Sequence, residues 1–158
     1  MSIQKVRAYL EPLGMAERIR EFDVSSATVE LAAAALGVDG ARIAKSMGFK
    51  VGERAVIVVT AGDQKVNSGK FKQVFGVKAK FLTFDEAHEM IGHDPGGVCP
   101  FALPEDVRVY LDESMQRFAT VFPAAGSANS AIELSCGELE RLASNFVAWV
   151  DVCKPKEA

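Results

Sequence analysis

The sequence is poor in the residues that build metal centres and disulfide frameworks. Its 158 residues include three widely spaced cysteines without a C-x-x-C pair, and only two histidines. An odd number of scattered cysteines does not predict a disulfide scaffold, and so few thiol and imidazole ligands do not predict a zinc site. We therefore expect no metal, and no motif calls for a cofactor.

Long apolar runs and familiar nucleotide-binding motifs are missing as well. No stretch reaches the roughly 18 apolar residues of a candidate membrane span. The N-terminus lacks the apolar core and the cleavage site of a signal peptide, so we expect a cytoplasmic protein without a membrane association. There is no Walker loop, no Rossmann fingerprint and no Ser-His-Asp order.

Charge is unevenly distributed, although the net charge is only −3. Residues 42–80 carry nine basic and two acidic side chains, whereas the other 119 residues carry nine basic and 19 acidic ones. If the fold gathers these cations onto one face, they could attract phosphates. The alternative is a set of solvated lysines scattered around the middle of the chain.

The apolar pattern predicts an α/β protein. The run "RAVIVVTAG" is typical of a buried strand, and "AKFLTF", "VRVYLD" and "FVAWVDV" are further predicted strands. Helices are predicted at "SSATVELAAAALGV", "DEAHEMIG" and "CGELERLAS". Because strands and helices alternate irregularly, a mixed sheet or open barrel flanked by helices is favoured over a doubly wound sheet. We expect one domain over residues 1–158.

Lys45 is the first candidate functional residue. It lies in "RIAKSMGF", between apolar residues at the edge of the predicted core. A lysine in this position either extends to the surface, with its stem packed, or holds its ammonium in a cleft that faces an anion.

A glycine- and proline-rich segment, "GHDPGGVCPFALP" at residues 92–104, is the second candidate. Glycine lets a ligand approach the backbone, and proline restricts the flanking conformations. A stiff ledge of peptide N–H and C=O groups could therefore recognise a polar ligand, although an ordinary connection between a helix and a strand would use the same residues. The candidate substrate-binding residues here are Gly96, Gly97, Val98, Cys99 and Pro100.

Two further features accompany this segment. Cys99 could be a nucleophile with His93 as its base, but a cysteine between valine and proline is more often a small apolar filler. A small-residue turn with Gly126, Ser127 and Asn129 could be a second wall of a pocket, or a turn only.

Three stretches together, "RIAKSMGF", "GHDPGGVCPFAL" and "VFPAAGSANSAIELS", closely resemble the YbaK/ProX family, free-standing relatives of the editing domain of bacterial prolyl-tRNA synthetase. The resemblance runs from about Thr28 to Leu142 with the three signatures in the expected order. It implies a mixed α/β domain whose curved sheet is surrounded by helices. It also implies hydrolysis of the ester that joins a wrong amino acid to its transfer RNA.

The resemblance also implies roles for individual residues. Lys45 corresponds to the family's signature lysine, which engages the phosphate and ribose of the acceptor end. Residues 96–100 match the family's G-x-x-x-P loop beside the aminoacyl group, and Gly126 and Ser127 match a turn that helps to close the pocket. Cys99 occupies a free position of the motif, and neither it nor His93 acquires a role.

We therefore expect a deacylase that acts in trans on transfer RNA misacylated with a small amino acid. Relatives edit alanine, cysteine, serine and threonine, and a synthetase is a possible partner. Two alternatives remain open from the sequence: a module that docks on transfer RNA or a synthetase without hydrolysis, and a cysteine-dependent hydrolase of small esters.

Overall fold

The computed structural model describes residues 2–93 and 97–156. Within these ranges five α-helices form: Ser2–Leu10 (α1), Val29–Leu36 (α2), Ser68–Phe75 (α3), Phe84–Ile91 (α4) and Cys136–Leu142 (α5). The strands are Ile19–Glu21 (β1), Ile43–Val51 (β2), Arg54–Ala61 (β3), Gln64–Val66 (β4), Arg108–Asp112 (β5), Thr120–Pro123 (β6), Ser130–Ile132 (β7), Leu134–Ser135 (β8), Phe146–Val150 (β9) and Cys153–Pro155 (β10). Short 3₁₀ turns at 11–13, 16–18, 40–42 and 113–117 complete the pattern.

Six strands form a curled, mixed sheet in the order β8-β6-β2-β3-β5-β9. Strands β2 and β3 are antiparallel, whereas β6, β5 and β9 join their neighbours β2, β3 and β5 in parallel. Two antiparallel pairs, β1 with β7 and β4 with β10, lie outside this sheet. The predicted fold, an α/β domain with a curved mixed sheet surrounded by helices, is confirmed.

The apolar run of β3 is explained by its central position, because both of its faces are covered. Ile57 and Val59 lie in a large core with α1 and α5, and Val56 and Val58 lie in a second core with Phe71 of α3. A strand buried on both faces reads as continuous apolar sequence rather than as an alternation. Burial of these side chains stabilises the sheet through the hydrophobic effect.

Threonine side chains cap the N-termini of two helices. Thr28 caps α2 by accepting a hydrogen bond from the Leu31 N–H at 3.1 Å, and the helix is followed by Gly37 with φ of 69°. Thr83 caps α4 in a reciprocal arrangement with Glu86. The first turn of α2 is thereby fixed beside the start of β2.

Some local predictions differ from the structure. "AKFLTF" does not form a full strand but touches β2 through a single bridge between Phe81 and Phe49. The strands β4 and β10, three residues each, were not predicted, because such short strands exist only through their pairing with one another. The expectation of a single domain over residues 1–158 stays a prediction.

The hairpin of β2 and β3 is long and tightly connected. Eight residue pairs run from Ala44 opposite Ala61 to Val51 opposite Arg54, and Gly52 turns the chain with φ of 64°. Because side chains alternate along a strand, consecutive residues of β2 project to opposite faces of the sheet.

No helix in the described ranges is both long and apolar enough to cross a membrane.

Candidate active site

The sheet has a local opening along β2. On the side away from β3, β2 pairs with β6 only at Ile43 and Ala44, and meets the segment around Phe81 only from Gly48 onward. Between these two contacts, in the part of the chain that the structure describes, no strand pairs with that edge of β2. Lys45 and Ser46 lie in this opening.

A cavity of about 460 Å³ fills the opening, and we call it the Lys45 cavity. The segment that leads into α2 forms one wall, β2 another, and the end of β6 with the start of β7 a third. Its lining residues are Ser26, Ala27, Thr28, Val29, Glu30, Ala32, Ile43, Ala44, Lys45, Ser46, Val98, Phe122, Ala124, Ser130, Ala131 and Lys156. This volume lies within the range of ligand-binding clefts.

The Lys45 side chain is half-buried at this cavity, opposite Thr60 of β3. Burial lowers the pKa of Lys45 below its usual 10.5, and the nearby Lys156 ammonium lowers it further. Glu30, in the first turn of α2, acts in the opposite direction on that pKa. Two cations and one carboxylate therefore share the cavity, which favours an anionic or strongly polar ligand.

The glycine–proline loop and the small-residue turn meet directly. A Cβ atom at Gly97 would lie 2.7 Å from Gly126 C and from Ser127 N, and 2.8 Å from Gly126 O. Only a residue without a side chain allows the two backbones to approach so closely. Gly96 lies outside the described residues, together with Asp94 and Pro95.

The loop residues after Gly97 face in different directions. Val98 is half-buried and lines the Lys45 cavity, whereas Cys99 and Pro100 are buried. The loop therefore presents one apolar side chain to the cavity and uses the next two residues to anchor itself in the core.

Cys99 and His93 lie close together but are sealed from solvent, each with no exposed surface. Burial raises the pKa of the Cys99 thiol to about 12. The His93 Nε2 donates to the Phe101 carbonyl at 2.8 Å, so this nitrogen, 3.6 Å from Cys99 Sγ, carries a proton. Such a nitrogen cannot remove a proton from the thiol, and the geometry fits a structural pair better than a catalytic one.

The turn at 126–129 is held by its own side chains. Ser127 Oγ is hydrogen-bonded to Asn129 Oδ1 at 2.9 Å and to Ser130 Oγ at 2.7 Å, and Asn129 Nδ2 donates to the Phe22 carbonyl at 3.0 Å. Gly126 has a φ of 98°, a conformation that favours glycine. Ser127 and Asn129 therefore shape the turn, while Ser130 and its neighbours line the cavity.

Comparison with known proteins decides the family. The sequence profile of the aminoacyl-tRNA editing domain matches residues 23–142. The chain belongs to this family. Both meeting segments and the whole wall formed by β2 fall within the matched range.

Individual relatives agree with this assignment. This editing domain is 48% identical to the uncharacterized protein YwhH of Bacillus subtilis over 158 residues, which are 99% of the chain and all of YwhH. It is 34% identical over 103 residues, 65% of the chain, to the proline–tRNA ligase of Bacillus licheniformis, of which the match covers 18%.

A solved structure shares the fold over nearly the full length. It belongs to a protein proposed to be a trans-editing enzyme for prolyl-tRNA synthetase, at a TM-score of 0.86 and 26% sequence identity, with 97% of each chain covered. The two proteins therefore share the same overall fold.

Sequence reasoning missed most of the lining of the editing domain's cavity, including its second ammonium and its carboxylate. Glu30 is an acid in the first turn of α2, a common position for acids, and Ser46 has the pattern of an ordinary strand residue. Lys156 lies beyond the family match and reaches the cavity because β10 pairs with β4 and the Lys156 N–H donates to the Asp63 carbonyl at 2.9 Å. No sequence signal marks such a long-range approach.

Among residues 2–93 and 97–156, no group of three or more His, Cys, Asp or Glu side chains is arranged to hold a metal ion. What the described cavity wall offers is a set of hydroxyl groups, two ammonium groups, one carboxylate and exposed backbone. These groups can bind and orient a phosphorylated ligand and a polar reacting centre.

Proposed function

We propose that this editing domain is a trans-acting aminoacyl-tRNA deacylase that hydrolyses the ester of a small, non-cognate amino acid on misacylated transfer RNA. The observation that carries the proposal is the half-buried Lys45 ammonium, which shares one cavity with Val98 of the glycine–proline loop. The family match and the similarity to proline–tRNA ligases support the same activity.

Lys45 would bind the phosphate or ribose of the terminal nucleotide. Its ammonium is partly desolvated, so an approaching phosphate interacts with it more strongly than with a fully hydrated lysine. Lys156 adds a second positive charge at the same cavity. The Glu30 carboxylate would offset part of the repulsion between the Lys45 and Lys156 ammonium groups when no substrate is bound.

The loop would recognise the aminoacyl group through backbone and through Val98. The contact of Gly97 with Gly126 and Ser127 braces the loop, and a braced wall excludes larger side chains better than mobile residues do. Cys99 and Pro100 would serve by holding this wall in place, and Asn129 by tying the turn to Phe22. Gly96 stays a proposed substrate-binding residue on the strength of the family resemblance.

The chemistry would require no protein nucleophile. An aminoacyl ester is already activated, so water that is oriented by backbone groups or by the substrate's own 2′-hydroxyl can attack it. A cysteine mechanism is disfavoured by the burial of Cys99 and by its raised pKa of about 12. His93 would be a packing and hydrogen-bonding residue rather than a base.

The test is a deacylation screen across transfer RNAs misacylated with alanine, cysteine, serine or threonine, each with and without prolyl-tRNA synthetase. We expect single-turnover hydrolysis of at least one substrate, and a Lys45→Ala loss on the order of 10²-fold in kcat/KM. Lys45→Arg should also be impaired, because a planar guanidinium does not replace a compact ammonium. Thermal melting should show that both variants fold.

Lys65→Ala is the matched control, since Lys65 is an exposed lysine of the short strand β4, and we expect it to keep the wild-type rate. A folded Lys45→Ala protein with a normal rate would remove this residue from the mechanism. Wild-type protein that binds transfer RNA but hydrolyses none of the substrates would instead favour the docking module.

A further inference from the structure

A second depression lies directly beside the Lys45 cavity. It has a volume of about 320 Å³, and we call it the phenylalanine groove. Its main walls are Met47, Gly48, Phe81, Leu82, Phe84 and Ile91. Ser46 and Val98 line both the groove and the Lys45 cavity, so the two spaces share one wall.

The groove presents two large aromatic rings to solvent. Phe81 is 60% exposed and Phe84 is 67% exposed. Phe81 packs against Phe49 with 4.6 Å between ring centroids, so part of the ring is fixed while the rest stays open. Phe84 begins α4 directly after the Thr83 cap, which fixes its backbone. Two neighbouring exposed rings beside a cleft indicate a binding surface.

The floor of the groove depends on a glycine. A Cβ at Gly48 would lie 2.9 Å from Leu82 Cδ1 and 3.0 Å from Ile91 Cδ1. The absence of a side chain lets these two residues close over β2. The floor is therefore apolar, which suits an uncharged ring better than a charged group.

Positive charge accompanies the aromatic rings. Lys78 and Lys80 are exposed in the segment that leads to Phe81, and the Lys80 carbonyl accepts from the Lys50 N–H at 2.9 Å. The Lys50 ammonium lies 3.2 Å from Glu86 Oε2. The Lys50 charge is thereby balanced, and Lys78 and Lys80 remain as the exposed lysines next to Phe81 in the chain. Exposed aromatic faces with lysines nearby are a combination by which proteins bind single-stranded nucleic acid without reading its sequence.

We propose that the phenylalanine groove binds the base of the terminal adenosine of the substrate, which stacks on Phe81 and Phe84 while its ester lies in the Lys45 cavity. The shared wall of Ser46 and Val98 supports this placement. The base and the ester are attached to the same ribose, so they must occupy adjacent spaces. The inference rests on the proposed function and names the part of the substrate that the groove holds.

The test measures base recognition by binding, without hydrolysis. The probes are the trinucleotide CCA and the same trinucleotide with an abasic 3′ residue, which keeps the phosphates and the ribose. Wild-type protein should bind CCA about 5- to 150-fold more tightly than the abasic probe, the range expected for one stacked base. Phe84→Ala and Phe81→Leu should each reduce this ratio, whereas Phe84→Tyr should retain it.

Phe81→Leu keeps an apolar contact with Phe49 while removing the ring, so the fold is expected to survive; thermal melting verifies this. Val147→Ala is the control, because Val147 is 43% exposed on β9, at the far edge of the sheet from β8. It should leave the ratio unchanged. Equal binding of both probes by wild-type protein, or an unchanged ratio in the two folded phenylalanine variants, would overturn the inference.

A second outcome would also overturn it. If the phenylalanine variants keep the base preference but change which amino acid is removed in the deacylation screen, the groove holds the amino acid instead. The outcomes separate the two proposals. If the protein hydrolyses a substrate but binds both probes equally, only the proposal for the groove is wrong. If it prefers CCA but hydrolyses none of the substrates, only the proposed activity is wrong.

Discussion

Replacing Gly97 by alanine tests whether the contact between loop and turn builds the site. The added Cβ would lie 2.7 Å from Gly126 C and Ser127 N. Carbon atoms pack best at about 3.5–4.0 Å, so the two segments would have to separate by about 1 Å. The obstacle is backbone on the turn side, and it cannot rotate away as a flexible side chain could.

Two magnitudes follow from this displacement. Overpacking of this kind costs about 1–3 kcal/mol of folding free energy, which for a chain of this size lowers Tm by roughly 2–12 °C. A shift of about 1 Å at a reacting centre costs on the order of 10²-fold in rate. We therefore expect Gly97→Ala to lose more activity than its modest instability explains, because Val98 follows immediately and lines the cavity.

The assays are urea denaturation and single-turnover deacylation at a temperature well below both melting points. Gly137→Ala is the matched control: Gly137 is exposed on α5, and its Cβ would have 3.8 Å to its nearest neighbour. Since alanine favours helices over glycine, this variant should gain up to about 1 kcal/mol and keep its rate. A Gly97→Ala protein with wild-type stability and rate would refute the reasoning.

Four further outcomes are expected. Cys99→Ala should keep most of the deacylase rate and lose on the order of 1 kcal/mol of stability; a rate loss as large as that of Lys45→Ala would restore the thiol mechanism. Binding of uncharged transfer RNA should weaken as the pH rises through the Lys45 pKa, which burial places below 10.5. Over the same pH range the free energy of unfolding should rise, because Lys45 keeps its proton to a higher pH in the unfolded state than in the folded state. Lys45→Arg should abolish the pH dependence of binding. Lys72→Glu should weaken transfer RNA binding and flatten its dependence on salt. The same reversal at Lys50 should also lower stability, because it places a second carboxylate beside Glu86. Unchanged affinity and salt dependence in Lys72→Glu would show that Lys72 is a solvated surface lysine that does not contact transfer RNA. Ser46→Ala should raise the free energy of unfolding by about 1 kcal/mol, because its buried hydroxyl has no hydrogen-bond partner among the described residues; a loss of stability, measured by urea denaturation, would contradict this.

The strands with strong apolar sequence were predictable, and the short ones were not. β3 was predictable because both faces of that strand are buried, which makes its sequence continuously apolar. Such a pattern can be recognised without knowing which strands pair with it. β4 and β10 join residues 64–66 to residues 153–155. Their stability comes from that distant pairing, and no local propensity in three residues reveals it.

The candidate site shows the same division. The position of Lys45 amid apolar residues and the stiffness of the glycine–proline loop are local properties that the sequence displays. The contact of Gly97 with Gly126 is not local: the residues alone left open whether the turn is a pocket wall, and the family resemblance favoured one site for both segments. Ser46 and Lys156 carried no signal, because a strand serine and a C-terminal lysine become unusual only once the cavity around them exists.

The length of the β2–β3 hairpin makes the site sensitive to changes far from it. Lys45 is seven residues from Gly52, about 23 Å along an extended strand, yet the turn at Gly52 sets which residue of β3 faces it. One extra residue within the strand would exchange the two faces, directing the ammonium of Lys45 to the side where Ser46 now points. Single-residue insertions within β2, between Lys45 and Gly52, are therefore expected to abolish activity while leaving the identity of the cavity residues unaltered. In a library of random insertions, inactive members should cluster at this hairpin rather than around the cavity alone.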